Sequence, residues 1–420
     1  MIYNFKTAAR YKENYNYNSL VVKHHFEKAD TRTKTFLGIF FEFYNAYQEY
    51  LSERQEIDFT DMISIAKDLV EKKKYISDWK YILIDEFQDI SKGRYKFISA
   101  LVNQNKKTRL FCVGDDWQSI YRFAGSNNAI IREFGTMFGA YTKLILDTSF
   151  RYNNKISKVS EKFITKNKYQ IKKNIKTLKN KNDPQVFLHW TNNAERFEVL
   201  ISVISNIEKK NVSNKKSLQI VARYNKSLKD LSTNRSIISK LQNIWSGEIY
   251  PFKSIHKSKG LEADYLVLLD LDSRQNGFPS LKEDDPIIKL LLSQEENYIF
   301  AEERRIFYVA LTRAKEQVHL IADESAKSIF AVELSNKKYD INISAHNQSI
   351  KCLSCHDGYL IKKVFNNNDV IYECSNHPLC KYRTVTCFIC KIGAVVINKE
   401  DNIGECTNTK CGATYDLCNV

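Results

Sequence analysis

The sequence has 420 residues, 43% of them apolar, which is enough for two or three globular domains with ordinary cores. Lys and Arg outnumber Asp and Glu by 64 to 49, and the resulting charge of +15 favours a polyanionic partner. No stretch approaches the roughly 18 apolar residues of a membrane helix, and Met1–Arg10 lacks the apolar run of a signal peptide, so we expect a cytoplasmic protein without membrane contact.

The predicted elements begin with helices and continue as alternating strands and helices. Residues 1–75 are predicted to be mainly helical, with aromatic periodicity through Phe36–Tyr50. From about residue 80 to 325, apolar strands alternate with helical stretches such as Ala194–Lys209 and Glu302–Ala314, which is typical of a parallel α/β fold. The predicted strands are Tyr81–Ile84, Arg109–Val113, Lys143–Leu146, Val186–Trp190, Gln219–Ala222, Tyr265–Leu269 and Val318–Ile321.

The first chemical motif is YILIDEFQD at Tyr81–Asp89, where an apolar strand ends in two consecutive carboxylates. Nucleoside triphosphatases hold Mg²⁺ and orient the attacking water at such a strand end. We predict that Asp85 holds the metal ion and that Glu86 orients or deprotonates the water. Two acidic residues alone more often form a solvated turn, but Gln88 and Asp89 follow at once and favour the catalytic interpretation.

The second motif is GDDWQSIYRFAGS, which begins at Gly114 after the predicted strand Arg109–Val113. Gly114 permits a tight turn at the carboxyl end of that strand, where ligands bind in open α/β sheets. Gln118 is then placed to sense a terminal phosphate, and Tyr121 and Phe123 offer flat faces for unpaired bases. An aromatic residue taken singly is more often a core residue, so that interpretation also stays open.

These motifs, with four further segments in the expected order, resemble the UvrD/Rep type of superfamily 1 DNA helicases, and within it the helicase IV group. The resemblance covers about residues 58–323. The four segments are TSFRYN at Thr148–Asn153, IVARYN at Ile220–Asn225, SIHKSKGLEADYLVLL at Ser254–Leu269 and EERRIFYVALTRAKEQVHL at Glu302–Leu320. The resemblance implies RecA-like P-loop NTPase lobes, the ligands ATP and Mg²⁺, and 3′-to-5′ movement on single-stranded DNA that unwinds duplex DNA.

The resemblance also implies residue roles at the nucleotide. Phe150 matches the residue that stacks on the adenine, although the family more often has Tyr there. Arg151 and Arg313 match the two arginines that reach the γ-phosphate, where planar and permanently charged groups suit the charge on the phosphoryl oxygens. Glu262 matches a contact to the nucleotide ribose.

Two further residues, His256 and Lys259, lie in a segment that the family uses near the DNA strand. A lone His or Lys in a loop is usually solvated, so this prediction depends on the resemblance. Positive charge is also concentrated at Arg151–Lys181, which has eleven basic residues and one acid. That segment equally fits the solvated face of a helix, because an apolar stripe accompanies the lysines at Ile156, Val159, Phe163 and Ile164.

Nine of the ten cysteines follow residue 351. In a reducing compartment such cysteines indicate metal binding rather than disulfides. Each C-x2-C pair can direct two thiolates at one ion, and two more cysteines complete a tetrahedral Zn²⁺ site. The two predicted sets are Cys352, Cys355, Cys374 and Cys380, and Cys387, Cys390, Cys406 and Cys411.

The cysteine-rich tail carries a second resemblance. CSNHPLCKYR at Cys374–Arg383 resembles the four-cysteine zinc finger of bacterial type I topoisomerases, which implies contact with single-stranded DNA. His377 and Cys418 stay open as substitute ligands. Cys112 lies in a predicted strand and is expected to be a core residue.

The predicted organisation is a partial first lobe, a complete second lobe and two small zinc-ribbon domains. The polar stretch Ser335–Ser349 separates the lobes from the tail and is predicted to be a linker. The predicted boundaries are 1–57 for a helical remnant of the first lobe, 58–147 for its distal part, 148–334 for the second lobe, 335–349 for the linker, 350–383 for the first zinc finger and 384–420 for the second zinc ribbon.

The sequence contains no Gly-Lys-Ser/Thr triplet, although a helicase of this type needs a G-x-x-x-x-G-K-[ST] loop to hold phosphates. We therefore expect an incomplete motor, to which a separately encoded upstream segment could contribute the loop. The short interval between Asn225 and Ser254 also leaves no room for the large insertion of Rep-type relatives. The alternative hypothesis is a truncated, non-catalytic DNA-binding protein with zinc ribbons.

Overall fold

A computed structural model describes most of the chain. The described residues are 31–191, 195–211, 215–285, 292, 296, 298–344, 352–355, 360–364, 370–374, 380–390, 393–398, 403–407 and 411–416. The chain divides into two compact units. Unit 1 comprises 1–146, 167–172 and 283–305, and unit 2 comprises 147–166, 173–282 and 306–420. No helix within the described ranges is long and apolar enough to cross a membrane.

Two helices open the described part of unit 1, namely α1 (Thr31–Glu53) and α2 (Phe59–Glu71). The Asp58 carboxylate fixes the start of α2, because it accepts the backbone N–H groups of Thr60 and Asp61, each at 2.9 Å. Asp61 in turn accepts the N–H of Asp58, which completes a capping box. The predicted helical character of residues 1–75 is confirmed from Thr31 onward, and residues 1–30 lie outside the described residues.

Unit 1 contains a parallel pair of strands, β1 (Tyr81–Ile84) and β2 (Arg109–Cys112), joined through α3 (Lys92–Gln104). Both strands were predicted. One face of the pair contributes Ile84, Leu110 and Cys112 to a core around Phe87, Ile90, Ile98 and Ile130. The short helices α4 (Ala129–Arg132) and α5 (Phe134–Phe138) close that core. Cys112 is therefore a core residue as expected, and burial raises the pKa of its thiol to about 12.

Unit 2 is built on a seven-stranded sheet in which every pairing is parallel, as the α/β pattern predicts. A separate parallel pair precedes it, formed by β3 (Thr148–Ser149) and β4 (Lys176–Thr177). The sheet has the order β11-β5-β10-β9-β6-β7, and β8 also pairs with β6. Its strands are β5 (Val186–Thr191), β6 (Ser217–Ala222), β7 (Glu248–Ile249), β8 (Lys253–Ser254), β9 (Ala263–Leu271), β10 (Ala314–Asp323) and β11 (Asn342–Ser344).

The helices of unit 2 pack apolar side chains against this sheet. The stripe predicted in α6 is confirmed, since Ile156, Val159, Phe163 and Ile164 are all buried. Leu200 and Ile204 of α7 pack with Ile220 of β6 and Val267 of β9 in the main core. The helices are α6 (Asn154–Ile164), α7 (Arg196–Lys210), α8 (Asn225–Thr233), α9 (Arg235–Ile244), α10 (Ile255–Ser258), α11 (Ala301–Leu311), which begins in unit 1, and α12 (Ile329–Leu334).

Three predicted elements differ from the structure. The strand predicted at Lys143–Leu146 is wrong, because the segment has no regular structure and its apolar side chains are exposed. The helix predicted at Glu302–Ala314 ends at Leu311, since Ala314 already belongs to β10. The predicted linker Ser335–Ser349 includes β11, whose backbone pairs with β5 although its side chains are exposed. Residues 345–349 lie outside the described residues.

The tail folds as two three-stranded antiparallel sheets, one for each cysteine set. The first has β12 (Leu360–Val364), β13 (Val370–Cys374) and β14 (Arg383–Val385), and the second has β15 (Val395–Asn398), β16 (Ile403–Cys406) and β17 (Thr414–Asp416). Since all three strands of each sheet are short, packing around the cysteines supplies much of the buried interior.

Candidate nucleotide, DNA and zinc sites

The acidic residues after β1 lie on a sharply turned backbone. Glu86 has φ 49° and ψ 40°, a left-handed conformation that non-glycine residues seldom adopt. The Asp85 carboxylate accepts the backbone N–H of Glu86 at 2.8 Å, and both side chains are exposed. Such a conformation persists only where its surroundings enforce it. The turn therefore presents two adjacent carboxylates to solvent at the end of the strand.

Gln88 connects this turn to the second motif. Its side-chain nitrogen donates to Glu86 Oε2, and its side-chain oxygen accepts the backbone N–H of Asp115 at 2.9 Å. Gly114 makes this approach possible, because a Cβ atom there would lie 2.8 Å from Gln88 Oε1. Gln88 is 1% exposed, and the sequence prediction gave it no role. Its position directly after two carboxylates was the only available signal.

The predicted phosphate sensor Gln118 belongs to the same hydrogen-bonded series. Its side-chain nitrogen donates to Asp115 Oδ2 at 2.7 Å, and Asp115 Oδ1 accepts the N–H of Trp117 at 3.0 Å. The structure thus brings Glu86, Gln88, Asp115 and Gln118 together within unit 1. Gln118 is therefore connected to the Glu86 carboxylate through three hydrogen bonds, which pass through Asp115 and Gln88.

Residues 114–126, called the aromatic loop below, carry Tyr121 and Phe123. Their rings lie 6.0 Å apart in an edge-to-face arrangement with an interplanar angle of 66°. Phe123 is 55% exposed and Tyr121 is half-buried, so the core interpretation is wrong for Phe123. Partial burial, with the nearby Asp89 and Glu86 carboxylates, raises the pKa of Tyr121 and keeps its hydroxyl neutral. One flat apolar face is available to a ligand.

Buried hydrogen bonds fix the position of the aromatic loop. The indole N–H of Trp117 donates to the Ile171 carbonyl at 2.9 Å, and the Ile171 N–H donates to the Asp116 carboxylate at 2.8 Å. Arg305 donates from Nε to the Ser119 carbonyl at 2.6 Å. The sequence prediction missed Arg305, because its partner lies 186 positions away.

In unit 2, Arg151 and Glu262 form one ionic cluster with Lys315. Glu262 accepts Arg151 Nε at 2.9 Å and Lys315 Nζ at 2.7 Å. Hydrogen bonds from Lys315 first and Arg151 second lower the pKa of Glu262. Exposed ion pairs contribute little stability, so the effect of this cluster is mainly to orient the two cations. Lys315 was not among the predicted site residues.

Arg313 and Phe150 are placed very differently within unit 2. Arg313 is 2% exposed, and its guanidinium group donates to the Val309 carbonyl at 3.2 Å and the Leu261 carbonyl at 3.4 Å. Phe150 follows β3 and has an exposed ring. The exposed ring of Phe150 can stack on a planar ligand. The guanidinium group of Arg313, in contrast, is held by backbone carbonyls close to the start of β9.

His256 and Lys259 lie at the two ends of one short turn. His256 is within α10, Lys259 caps that helix, and both side chains are half-buried. Gly260 follows with φ 82°, which turns the chain into β9. Their predicted contact with DNA stays a prediction.

Both predicted cysteine sets are assembled in the tail. Within each set, the four Sγ atoms lie within 4.8 Å of one another. The closest pairs are Cys352 with Cys380 at 3.7 Å, Cys355 with Cys374 at 3.6 Å, Cys387 with Cys411 at 3.7 Å and Cys390 with Cys406 at 3.6 Å. Tetrahedral Zn²⁺ with Zn–S bonds of about 2.3 Å places sulfur atoms about 3.8 Å apart, so each set fits one ion. The open alternatives His377 and Cys418 lie outside the described residues.

Comparison with protein families finds matches to two parts of the chain. Residues 3–139 match the UvrD/REP helicase N-terminal domain, and residues 248–325 match the UvrD-like helicase C-terminal domain. These two segments are similar to the UvrD-like helicases. Both matched segments end before the first cysteine set, so the tail is described by its own geometry.

Three similar proteins show how much of a DNA helicase this chain matches. DNA helicase IV of Escherichia coli is 35% identical over 291 residues, which are 69% of this chain and 41% of that protein. ATP-dependent DNA helicase Rep of Buchnera aphidicola is 34% identical over 136 residues, 30% of this chain and 20% of Rep. DNA helicase II of Haemophilus influenzae is 33% identical over 146 residues, 34% of this chain and 20% of that protein. The matched part of the chain spans about two fifths or less of each relative.

Proposed function

We propose that the protein is an ATP-dependent DNA helicase that couples ATP hydrolysis to 3′-to-5′ movement along single-stranded DNA. The observation that carries this proposal is the hydrogen-bonded series of Glu86, Gln88, Asp115 and Gln118. It joins a pair of carboxylates suited to Mg²⁺ and water to a loop with an exposed aromatic face. Similarity to relatives named DNA helicases supports the same reaction.

In this proposal each residue of unit 1 has a separate task. Asp85 would hold Mg²⁺, which neutralises charge on the phosphates. Glu86 accepts a proton from the attacking water, and Gln88 positions the Glu86 carboxylate by donating a hydrogen bond to it. Gln118 contacts the terminal phosphate, so loss of that phosphate changes the hydrogen bonds of Asp115. Because Asp115 belongs to the aromatic loop, this change shifts the loop and alters its contacts with the bases.

The residues of unit 2 have their own tasks in this proposal. Phe150 stacks on the adenine and Glu262 binds the ribose, while Arg151 and Arg313 meet the charge that develops on the γ-phosphate. The ion pair between Arg151 and Glu262 supports a shared site for ribose and phosphate, because one residue positions the other. His256 and Lys259 contact the DNA strand. These roles depend on the family resemblance.

We further propose that an α/β segment with a phosphate-binding loop packs on the outer face of β1 and β2. That face exposes Tyr81 by 69%, Leu83 by 73% and Phe111 by 54%. Parallel sheets are normally covered on both faces, so these side chains indicate a surface built for a partner layer. The sequence contains no GKT-type loop of its own, and the partner layer would contribute it in a RecA-like lobe.

The two cysteine sets each bind one Zn²⁺ in this proposal, and the resulting ribbons contact single-stranded DNA. The sulfur spacing supports tetrahedral metal ions, and four thiolates make each site closed and structural. A second candidate function is favoured by this same tail, because neither the ribbons nor the basic segment Arg151–Lys181 depends on ATP. The protein would then be a non-catalytic DNA-binding protein.

The deciding experiment measures ATP hydrolysis by the 420-residue chain, with and without single-stranded DNA. We expect no helicase-like turnover from the chain alone, since phosphoryl transfer requires every participant to be held at once. Activity should emerge when the loop-bearing segment of a relative is fused or added, and Glu86→Gln should abolish it. Full activity in Glu86→Gln would refute the assigned chemistry. DNA binding without hydrolysis in every combination would favour the non-catalytic alternative.

A further inference from the structure

The second cysteine set contains a tyrosine hydroxyl that the first set lacks among the described residues. Tyr415 Oη lies 2.9 Å from Cys387 Sγ. It also accepts the backbone N–H of Phe388 at 3.0 Å and that of Ile389 at 3.3 Å. These two residues form the turn between the metal ligands Cys387 and Cys390. One hydroxyl therefore meets three groups of the metal-binding turn.

The hydrogen-bonding capacity of the hydroxyl settles the direction of the sulfur contact. A tyrosine oxygen has one proton to donate and lone pairs with which to accept. The two N–H groups occupy it as an acceptor, so its own proton is left for Cys387 Sγ. A zinc-bound cysteine is a thiolate and has no proton to give. The contact is therefore an O–H donor to a thiolate acceptor.

The first set provides an internal comparison at matching positions. Ser354 lies two residues after Cys352, and its backbone N–H donates directly to Cys352 Sγ at 3.4 Å. Ile389 lies two residues after Cys387, yet its N–H donates to Tyr415. The Tyr415 hydroxyl thus bridges the turn and the sulfur at this position, in addition to the backbone N–H of Cys390, which donates directly to Cys387 Sγ at 3.4 Å.

We propose that Tyr415 is a positioning residue of the second zinc site, which donates a hydrogen bond to the Cys387 thiolate while fixing the ligand turn through two N–H groups. This inference depends on the proposed zinc binding. A Zn²⁺ ion with four thiolates has a net negative charge, and donors to the sulfur atoms disperse that charge and fix the ligands. Tyr415 comes from β17, so it also fastens the last described strand to the metal turn.

The ring of Tyr415 also packs against a neighbouring ring, so the effects of packing and of hydrogen bonding can be tested separately. It lies edge-to-face with Phe388, with centroids 5.7 Å apart and an interplanar angle of 79°. A Tyr415→Phe change keeps this ring contact and removes only the hydroxyl. Tyr382→Phe is the matched control, because Tyr382 packs beside the first set and its hydroxyl makes no sulfur contact among the described residues.

The test uses the full chain loaded with Zn²⁺ and, in parallel, with Co²⁺. The measurements are metal content, the rate of zinc transfer to a colorimetric chelator, and the sulfur-to-cobalt charge-transfer bands. Tyr415→Phe should accelerate one of two release phases by roughly 10–100-fold, the usual effect of losing such a partner, and leave the other unchanged. The cobalt bands of that site should shift, and Tyr382→Phe should leave both phases as in the wild type.

Each outcome decides a different point. Loss of one metal ion in Tyr415→Phe, with the other retained, would support the proposal in its strongest form. Two wild-type release phases and unchanged cobalt bands in Tyr415→Phe would overturn it, and the ring would then serve packing alone. A wild-type chain that binds no zinc would overturn the proposed zinc function together with this inference. The two failures are thus distinguishable.

Discussion

Gln88 accepts the backbone N–H of Asp115 at 2.9 Å while it donates to the Glu86 carboxylate. A single buried side chain therefore fixes the spacing between the ends of two neighbouring parallel strands. The Ser119 hydroxyl also donates to the Gln88 carbonyl at 3.0 Å, so the main chain of Gln88 takes part as well. Gln88 is the residue through which the acidic turn and the aromatic loop are held together.

Replacing Gln88 by Ala should destabilise unit 1. The change removes the acceptor that Gln88 offers to the N–H of half-buried Asp115, and the loss of such a hydrogen bond costs about 0.5–1.5 kcal/mol. Urea unfolding followed by tryptophan fluorescence measures the free energy of unfolding, since Trp117 lies in the adjoining turn. Gln118→Ala is the control and should cost less, because Gln118 is only half-buried. Equal stability of Gln88→Ala and the wild type would contradict the role of this contact.

Replacing Tyr121 and Phe123 together by Ala should weaken binding to single-stranded DNA. Each lost base stack is worth about 1–3 kcal/mol, and the fold should survive because neither ring belongs to the buried core. Fluorescence anisotropy with a labelled oligonucleotide gives the affinity. It should be repeated on a chain ending after Ser344, so that the tail cannot mask the loss. Phe59→Ala removes another exposed ring of unit 1 and should have no effect. Unchanged affinity of the double variant would exclude stacking.

Metal analysis of protein purified without chelators should find two zinc ions in each chain. Cys355→Ser and Cys390→Ser should each lower the content to one ion, since they belong to different sets, and the double variant should contain none. A strong chelator should unfold the tail, because binding free energy at such sites is folding free energy. A wild-type content of one ion per chain would show that only one cysteine set binds zinc. A content of zero would show that neither set does.

The stability of unit 2 should fall in mild acid because of two stacked histidines. His189 Nε2 lies 3.0 Å from His319 Nδ1 on the neighbouring strand. Burial lowers the pKa of His189 to about 4 and lowers that of His319 well below its usual value. The unfolded chain takes up protons near pH 6.5 while the folded chain stays neutral, so unfolding becomes easier as pH falls from about 6.5 to 4.

The size of this effect can be measured against a variant. The pKa shift of His189 corresponds to at most about 3 kcal/mol, discounted because the ring is partly exposed. Urea unfolding at pH 7.5, 6.5 and 5.5 should show a steeper decline for the wild type than for His189→Gln. Thiolate protonation in the tail acts equally on both proteins and cancels in the comparison. Parallel declines would refute the assignment to His189.

The sequence predicted those features whose signal is local. The strand Tyr81–Ile84 and its two carboxylates are contiguous, and the cysteine pairs are separated by two residues, so spacing alone was sufficient. The link through Gln88 could not be predicted in this way, because its partner Asp115 is 27 positions away and depends on the parallel pairing. Arg305 was missed for the same reason.

The wrong predictions also have physical reasons. Lys143–Leu146 is apolar like a buried strand, but within the described chain it has no strand partner and its side chains stay exposed. β11 was missed because Asn342 and Ser344 are polar, and an edge strand with exposed side chains needs no apolar pattern. The helical pattern in the sequence continues beyond Leu311, so the predicted helix was too long. In the structure α11 ends at Leu311, and the backbone of Ala314 pairs with β9.

The pairing of β11 with β5 also limits how far the first cysteine set can lie from the parallel sheet. β11 ends at Ser344, eight positions before Cys352, the first ligand of the tail. A fully extended chain advances about 3.3–3.6 Å per residue, so Cys352 stays within about 29 Å of that edge of the sheet. Three paired residues in a polar segment therefore set an upper limit to the distance between this edge of the sheet and the first cysteine set.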